Sequence, residues 1–133
     1  MDVSKNLALR SLYCYQNNLK NLDINSTLFY LDCSVNELTD LDISKNSDLL
    51  TLSFVQNLLT KIDVCNNTGL YLLMCQDNRI SIEELNAMFG KLHENLISGR
   101  TKYVYIKNNP GANSCDVRIA ENKGWIVNLT SDF

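Results

Sequence analysis

The chain has one Pro, one His, one Trp and five Gly in 133 residues. So little Pro and Gly excludes a collagen-like chain or a Pro/Gly-rich disordered one. No stretch approaches the ~18 apolar residues that signal a membrane-spanning helix, so membrane insertion is not expected. Lys and Arg never form a run, and the net charge is −3 at pH 7. Without a basic stripe to follow phosphates, nucleic acid is not an expected partner. The five Cys include no C-x-x-C pair, so neither a zinc ribbon nor a thioredoxin-like site is indicated. Met1-Asp2-Val3-Ser4-Lys5 does not pass from a basic stretch into an apolar one, so it does not read as a secretory leader. The remainder, 45% hydrophobic and 20% charged, suits one globular domain.

What the chain does have is a repeat. Leu12-Tyr13-Cys14-Tyr15-Gln16-Asn17-Asn18-Leu19 returns as Leu31-Asp32-Cys33-Ser34-Val35-Asn36-Glu37-Leu38. It returns again as Leu52-Ser53-Phe54-Val55-Gln56-Asn57-Leu58-Leu59 and as Leu73-Met74-Cys75-Gln76-Asp77-Asn78-Arg79-Ile80. A preceding Leu recurs at Leu9, Leu28, Leu49 and Leu70, and a following pair at Leu22/Ile24, Leu41/Ile43 and Ile62/Val64. The unit matches the leucine-rich-repeat pattern L-x-x-L-x-L-x-x-N/C-x-L. The expected fold is an α/β solenoid: a right-handed coil of short parallel strands, with repeats over 1–80 and an α/β cap over 81–133.

Side chains alternate across a strand, which sends Leu12 and Cys14 inward and Tyr13 and Tyr15 outward. Stacked units then align the Leu positions in columns that no unit buries alone. Asn17, Asn36, Asn57 and Asn78 should form an inward ladder, each amide donating and accepting where the chain turns away from its strand. The second unit is two residues short, a deletion expected on the convex arm. Linear alignment sets Asn25 beside Ser4, Ser44 and Cys65.

After Ile80 the period fails. Ser81-Ile82-Glu83-Glu84 is a capping-box sequence, and Ile82, Leu85, Met88, Phe89 and Leu92 follow at helical spacing, which predicts a helix over 82–93. Val104, Ile106 and Asn109 then align with Leu12, Cys14 and Asn17 and predict a fifth strand. A short helix is expected from Asn113-Ser114 to about Asn122, ended by Gly124, and a last strand over Trp125–Leu129.

The motifs Leu12–Asn17 and Asp2–Asn6, with the ending Tyr105–Gly111, Cys115 and Lys123-Gly124-Trp125, resemble the internalin-like leucine-rich-repeat proteins of Bacteroidetes-type bacteria. The resemblance covers nearly the whole chain. It implies an extracellular or cell-surface protein that binds and does not catalyse.

The chemistry-bearing residues read blandly. His93, the one candidate general base, falls at the end of the predicted helix, away from most of the Cys. Cys14, Cys33 and Cys75 share one inward position with Phe54, a line and not a metal-ligating cluster. Neighbouring Cys14 and Cys33 run parallel, which strains a bridge, so all five thiols are expected free. Asp2, Asp23, Asp42 and Asp63 form a column, each expected to accept backbone N–H groups of its own turn and not to bind calcium. No cofactor and no metal is expected.

The candidate site is the outward row: Tyr13 and Tyr15, then Tyr30, Asp32 and Ser34, then Thr51, Ser53 and Val55, then Leu72, Met74 and Gln76. Tyr and Met exposed there form a patch of the kind enriched at interaction surfaces. The expected function is binding of a protein or surface glycan on this concave strand face; the other reading is a structural spacer within a longer surface protein. The array starts mid-coil, so the strand at Leu12 is expected to present an open edge. Either further chain covers it, or two copies pair there as a homodimer.

Overall fold

The computed structural model describes residues 1–130. The order is β1 (Ser11–Tyr13), β2 (Tyr30–Asp32), β3 (Thr51–Ser53), β4 (Leu72–Met74), α1 (Ile82–Lys91), β5 (Lys102–Tyr105), α2 (Arg118–Glu121) and β6 (Trp125–Asn128). The six strands form one sheet, parallel throughout, in sequence order β1-β2-β3-β4-β5-β6. With two helices among the described residues, the arrangement is α/β. The sheet runs unbroken across residue 80, from β4 into β5.

Register follows the Leu periodicity. Leu12 pairs with Leu31, Leu31 with Leu52, Leu52 with Leu73, and Leu73 with Val104. From Leu31 onward this column is essentially removed from solvent, as is the next inward one, Cys33, Phe54, Cys75 and Ile106. Leu28, Leu49 and Leu70 are buried in the same core. Burying one such Leu is worth about 1.5–3 kcal/mol, and stacking alone achieves it.

The strands are short because each is stopped at one position. Gln16, Val35, Gln56, Asp77 and Asn108 all have φ between 53 and 60°, a left-handed conformation that ends an extended run. The following Asn locks the turn. Asn36 Nδ2 donates to Cys33 O at 3.0 Å and Ser34 O at 3.2 Å within its own repeat, and to Cys14 O of the preceding repeat at 3.0 Å. Its Oδ1 accepts the Leu19 N–H at 2.9 Å. Asn57, Asn78 and Asn109 repeat both cross-repeat bonds. Asn17 does not. It is exposed, and its side chain bonds Cys14 O and Tyr15 O of its own turn, because no described strand lies on the outer side of β1. Residues 1–3 reach only the arm, through a parallel bridge of Asp2 with Asp23.

A second buried Asn column was hidden by linear alignment. Asn25, Asn46 and Asn67 are each 1% exposed. Asn46 Nδ2 donates to Asn25 O, and Asn67 Nδ2 to Asn46 O, both at 2.8 Å. Asn25 therefore stands with Asn46 and Asn67, not with Ser44 and Cys65, and the two missing residues fall between Ile24 and Asn25. Asp2, Asp42 and Asp63 accept the N–H two residues on, from Ser4, Ser44 and Cys65. Asp23, next to the deletion, accepts no such bond among the described residues.

At the C-terminal end α1 stops at Lys91, two residues short of the sequence expectation, because Leu92 turns extended at ψ 138°. Ser81 Oγ accepts the Glu84 N–H at 3.3 Å, and the Ser81 hydroxyl donates to the Glu83 carboxylate at 2.8 Å. Helix α2 is confined to four residues, since 110–115 forms turns closed onto Gly111 O by the Ser114 and Cys115 N–H groups. Gly111 is required there. A Cβ would lie 2.6 Å from Ser81 O. β6 ends at Asn128, one residue before the expected limit. No helix of the described residues is long and apolar enough to cross a membrane.

Candidate functional site: the outward strand face

Alternation and register bring the outward residues into three columns. The first is Ser11, Tyr30, Thr51, Leu72, Tyr103 and Ile126; the second is Tyr13, Asp32, Ser53, Met74, Tyr105 and Asn128. The third continues just past the strands as Tyr15, Ser34, Val55, Gln76 and Lys107, set in step by bonds such as Gln16 N–H to Ser34 O at 2.9 Å. All eleven residues singled out from the sequence thus share one face.

They are not equally open. Tyr13 and Tyr15 are 65% and 52% exposed, at the edge of the sheet. Tyr30, Asp32, Ser34, Val55, Leu72 and Met74 are half-buried. Ser53 and Gln76 are buried, at 5% and 4%, against the expectation that the whole row meets solvent. Strands ~4.8 Å apart let larger neighbours close over a short side chain. Ser53 lies between Asp32 and Met74, its hydroxyl 2.7 Å from Ser34 Oγ. Gln76 Oε1 has no hydrogen-bond partner among the described residues.

The sequence reading stopped the row at Gln76, yet β5 extends it with half-buried Tyr103 and buried Tyr105, whose rings lie 6.3 Å apart. The signal was present: once Val104 and Ile106 are aligned inward, their neighbours must face out. Along one rim, Arg10 sits over the Phe29 ring at 5.9 Å and Arg100 over the Tyr71 ring at 4.3 Å.

Near the middle of the face Tyr13, Tyr30, Leu31, Asp32, Thr51, Ser53 and Met74 enclose a shallow depression of about 120 Å³. Asp32 is its one charged residue. Asp32 Oδ1 accepts the Ser34 N–H at 3.0 Å, and this turn holds the carboxylate in place.

All five Cys are free. Burial pushes the Cys33 and Cys75 thiols far above their usual range, which suppresses thiolate and hence reactivity. Among the described residues no three His, Cys, Asp or Glu converge on a metal position. His93 Nε2 lies 2.6 Å from Leu70 O and Nδ1 accepts the Asn95 N–H at 3.1 Å. Its ring packs edge-on against Trp125, with centroids 5.5 Å apart. Burial pushes its pKa down, as suits a packed neutral ring. On the opposite side of the repeats, two recesses of about 250 and 410 Å³ follow the Asp column. A hydrogen bond from Lys91 Nζ holds Asp63 at a pKa of about 2.

No family model, no curated protein and no solved structure matches this chain.

Proposed function

We propose that the chain is a leucine-rich-repeat solenoid of the internalin-like kind, acting outside the cell or at its surface as a non-catalytic binding module. The observation that carries this reading is the outward strand face. It is a continuous surface of Tyr13, Tyr30, Leu72, Met74 and Tyr103, with a depression in it. Tyr and Met are the residue types enriched where proteins meet, and parallel strands with internally paired backbones offer only side chains to a partner. The platform is pre-formed, so binding loses little conformational freedom on this side. The partner is a protein: the face is broad and shallow, whereas small-molecule pockets enclose roughly 300–1,000 Å³.

Selection of a peptide display library on the immobilised chain tests the reading. Tyr30→Glu and Leu72→Glu should each weaken the selected binders about tenfold or more. Ile82→Glu and Leu96→Glu, at exposed sites off the face, should leave them unchanged. Binders indifferent to the first pair would overturn the proposal.

A further inference from the structure

The geometry points to Asp32 as the anchor for a lysine or arginine side chain of a protein partner. This deepens the binding-module reading and rests on it. The argument starts from the depression. Its walls are formed by Tyr13, Tyr30 and Met74, with the buried Leu31 at its base, and a single formal charge lies among them. The three ion pairs among the described residues join Lys20 to Glu37, Lys91 to Asp63 and Arg118 to Asp116, so none reaches Asp32. Its Oδ1 is used by the Ser34 N–H, while Oδ2 makes no hydrogen bond with the described residues. Arg10 and Arg100 lie outside the lining, each over an aromatic ring of its own.

A half-buried carboxylate in an apolar recess calls for a partner of opposite charge, because the reduced local dielectric strengthens attraction there. Lys and Arg alone combine that charge with a long methylene stem, which lies along apolar surface while the head reaches its counter-ion. The stem would run over Met74. The Tyr13 and Tyr30 rings add attraction for a cation over their faces. A recess of about 120 Å³ admits the end of one side chain and is too small for a metabolite or a sugar chain. Asp32 is also pre-positioned: its bond from the Ser34 N–H at 3.0 Å fixes it before any partner arrives.

The test is a titration of the ¹⁵N-labelled chain with Ac-Ala-Lys-Ala-NH₂ and with the same peptide carrying arginine, norleucine or glutamate in place of lysine. The lysine and arginine peptides should shift the amides of Tyr30 to Ser34, Thr51 to Ser53 and Met74. They should bind more tightly than norleucine by about two- to fivefold, the range of a partly exposed ion pair. Added salt should erase that preference. Asp32→Asn keeps the acceptor for the Ser34 N–H and should abolish the preference while leaving the rest of the spectrum in place. Shifts absent from the depression, equal binding of norleucine, or a preference that survives in Asp32→Asn would each overturn the inference. If norleucine binds equally while display-selected binders still require Tyr30 and Leu72, the cation anchor fails and the binding face stands.

Discussion

The Leu38 backbone N–H donates to the side-chain Oδ1 of Asn57 at 3.0 Å, across the boundary between two repeats. The same amide's Nδ2 reaches Cys33 O at 3.0 Å and Phe54 O at 3.2 Å. One buried side chain thus satisfies groups that water cannot reach. Asn57→Leu preserves the volume and strands those groups, at about 1–3 kcal/mol for each one left unsatisfied. Chemical denaturation should show a large loss of stability, and Asn17→Leu, at the exposed edge, should lose much less. Equal losses would contradict the cross-repeat role.

Val35 occupies the left-handed turn at φ 56° and is 38% exposed. A β-branched residue there is strained by roughly 1–2 kcal/mol, whereas Asn tolerates the conformation. Val35→Asn should therefore stabilise the chain by about 1 kcal/mol. A lower melting temperature would show that the Val35 side chain contributes packing that outweighs its strain.

The strands, their register and the outward row were legible because each Leu position must face the core and the period counts residues. The same alternation carried Tyr103 and Tyr105, although the sequence reading ended the row at Gln76. Three features were not legible. The place of Asn25 depends on where the backbone absorbs a deletion, and that appears only when Asn25, Asn46 and Asn67 are stacked in space. The burial of Ser53 and Gln76 comes from side chains on neighbouring strands, so no single repeat encodes it. The short α2 reflects closure of turns onto Gly111, whose approach to Ser81 is a contact between distant segments.

His93 gives a pH dependence with a definite sign. Burial is the largest cause lowering its pKa; the Leu70 carbonyl opposes it, and the charges of Lys102 and Lys123 reinforce it. The folded state therefore binds fewer protons than the unfolded state near the ordinary His value of about 6.5. The contribution is complete above that value and is lost as pH falls through it towards the lower folded value. The melting temperature should decline over this window, and less steeply in His93→Gln. The lowered carboxylate pKa values of Asp2, Asp42 and Asp63, due first to hydrogen bonds from Ser4, Ser44 and Lys91 respectively, act only in more acidic solution. An unchanged slope in His93→Gln would refute the assignment.

All five thiols should titrate in the denatured chain without reductant, since none is bridged. In the native chain Cys65, the exposed one, should react first, and Cys33 and Cys75 last. A denatured count of three or fewer would mean that a disulfide forms despite the parallel side-chain directions.

Cross-saturation from a display-selected, unlabelled partner protein to the labelled chain tests the central claim most directly. Saturation should reach the amides of Tyr13, Tyr30, Asp32, Thr51, Leu72, Met74 and Tyr103, along one face of the sheet. Saturation concentrated instead at Asp23, Asp42 and Asp63 or along α1 would contradict it.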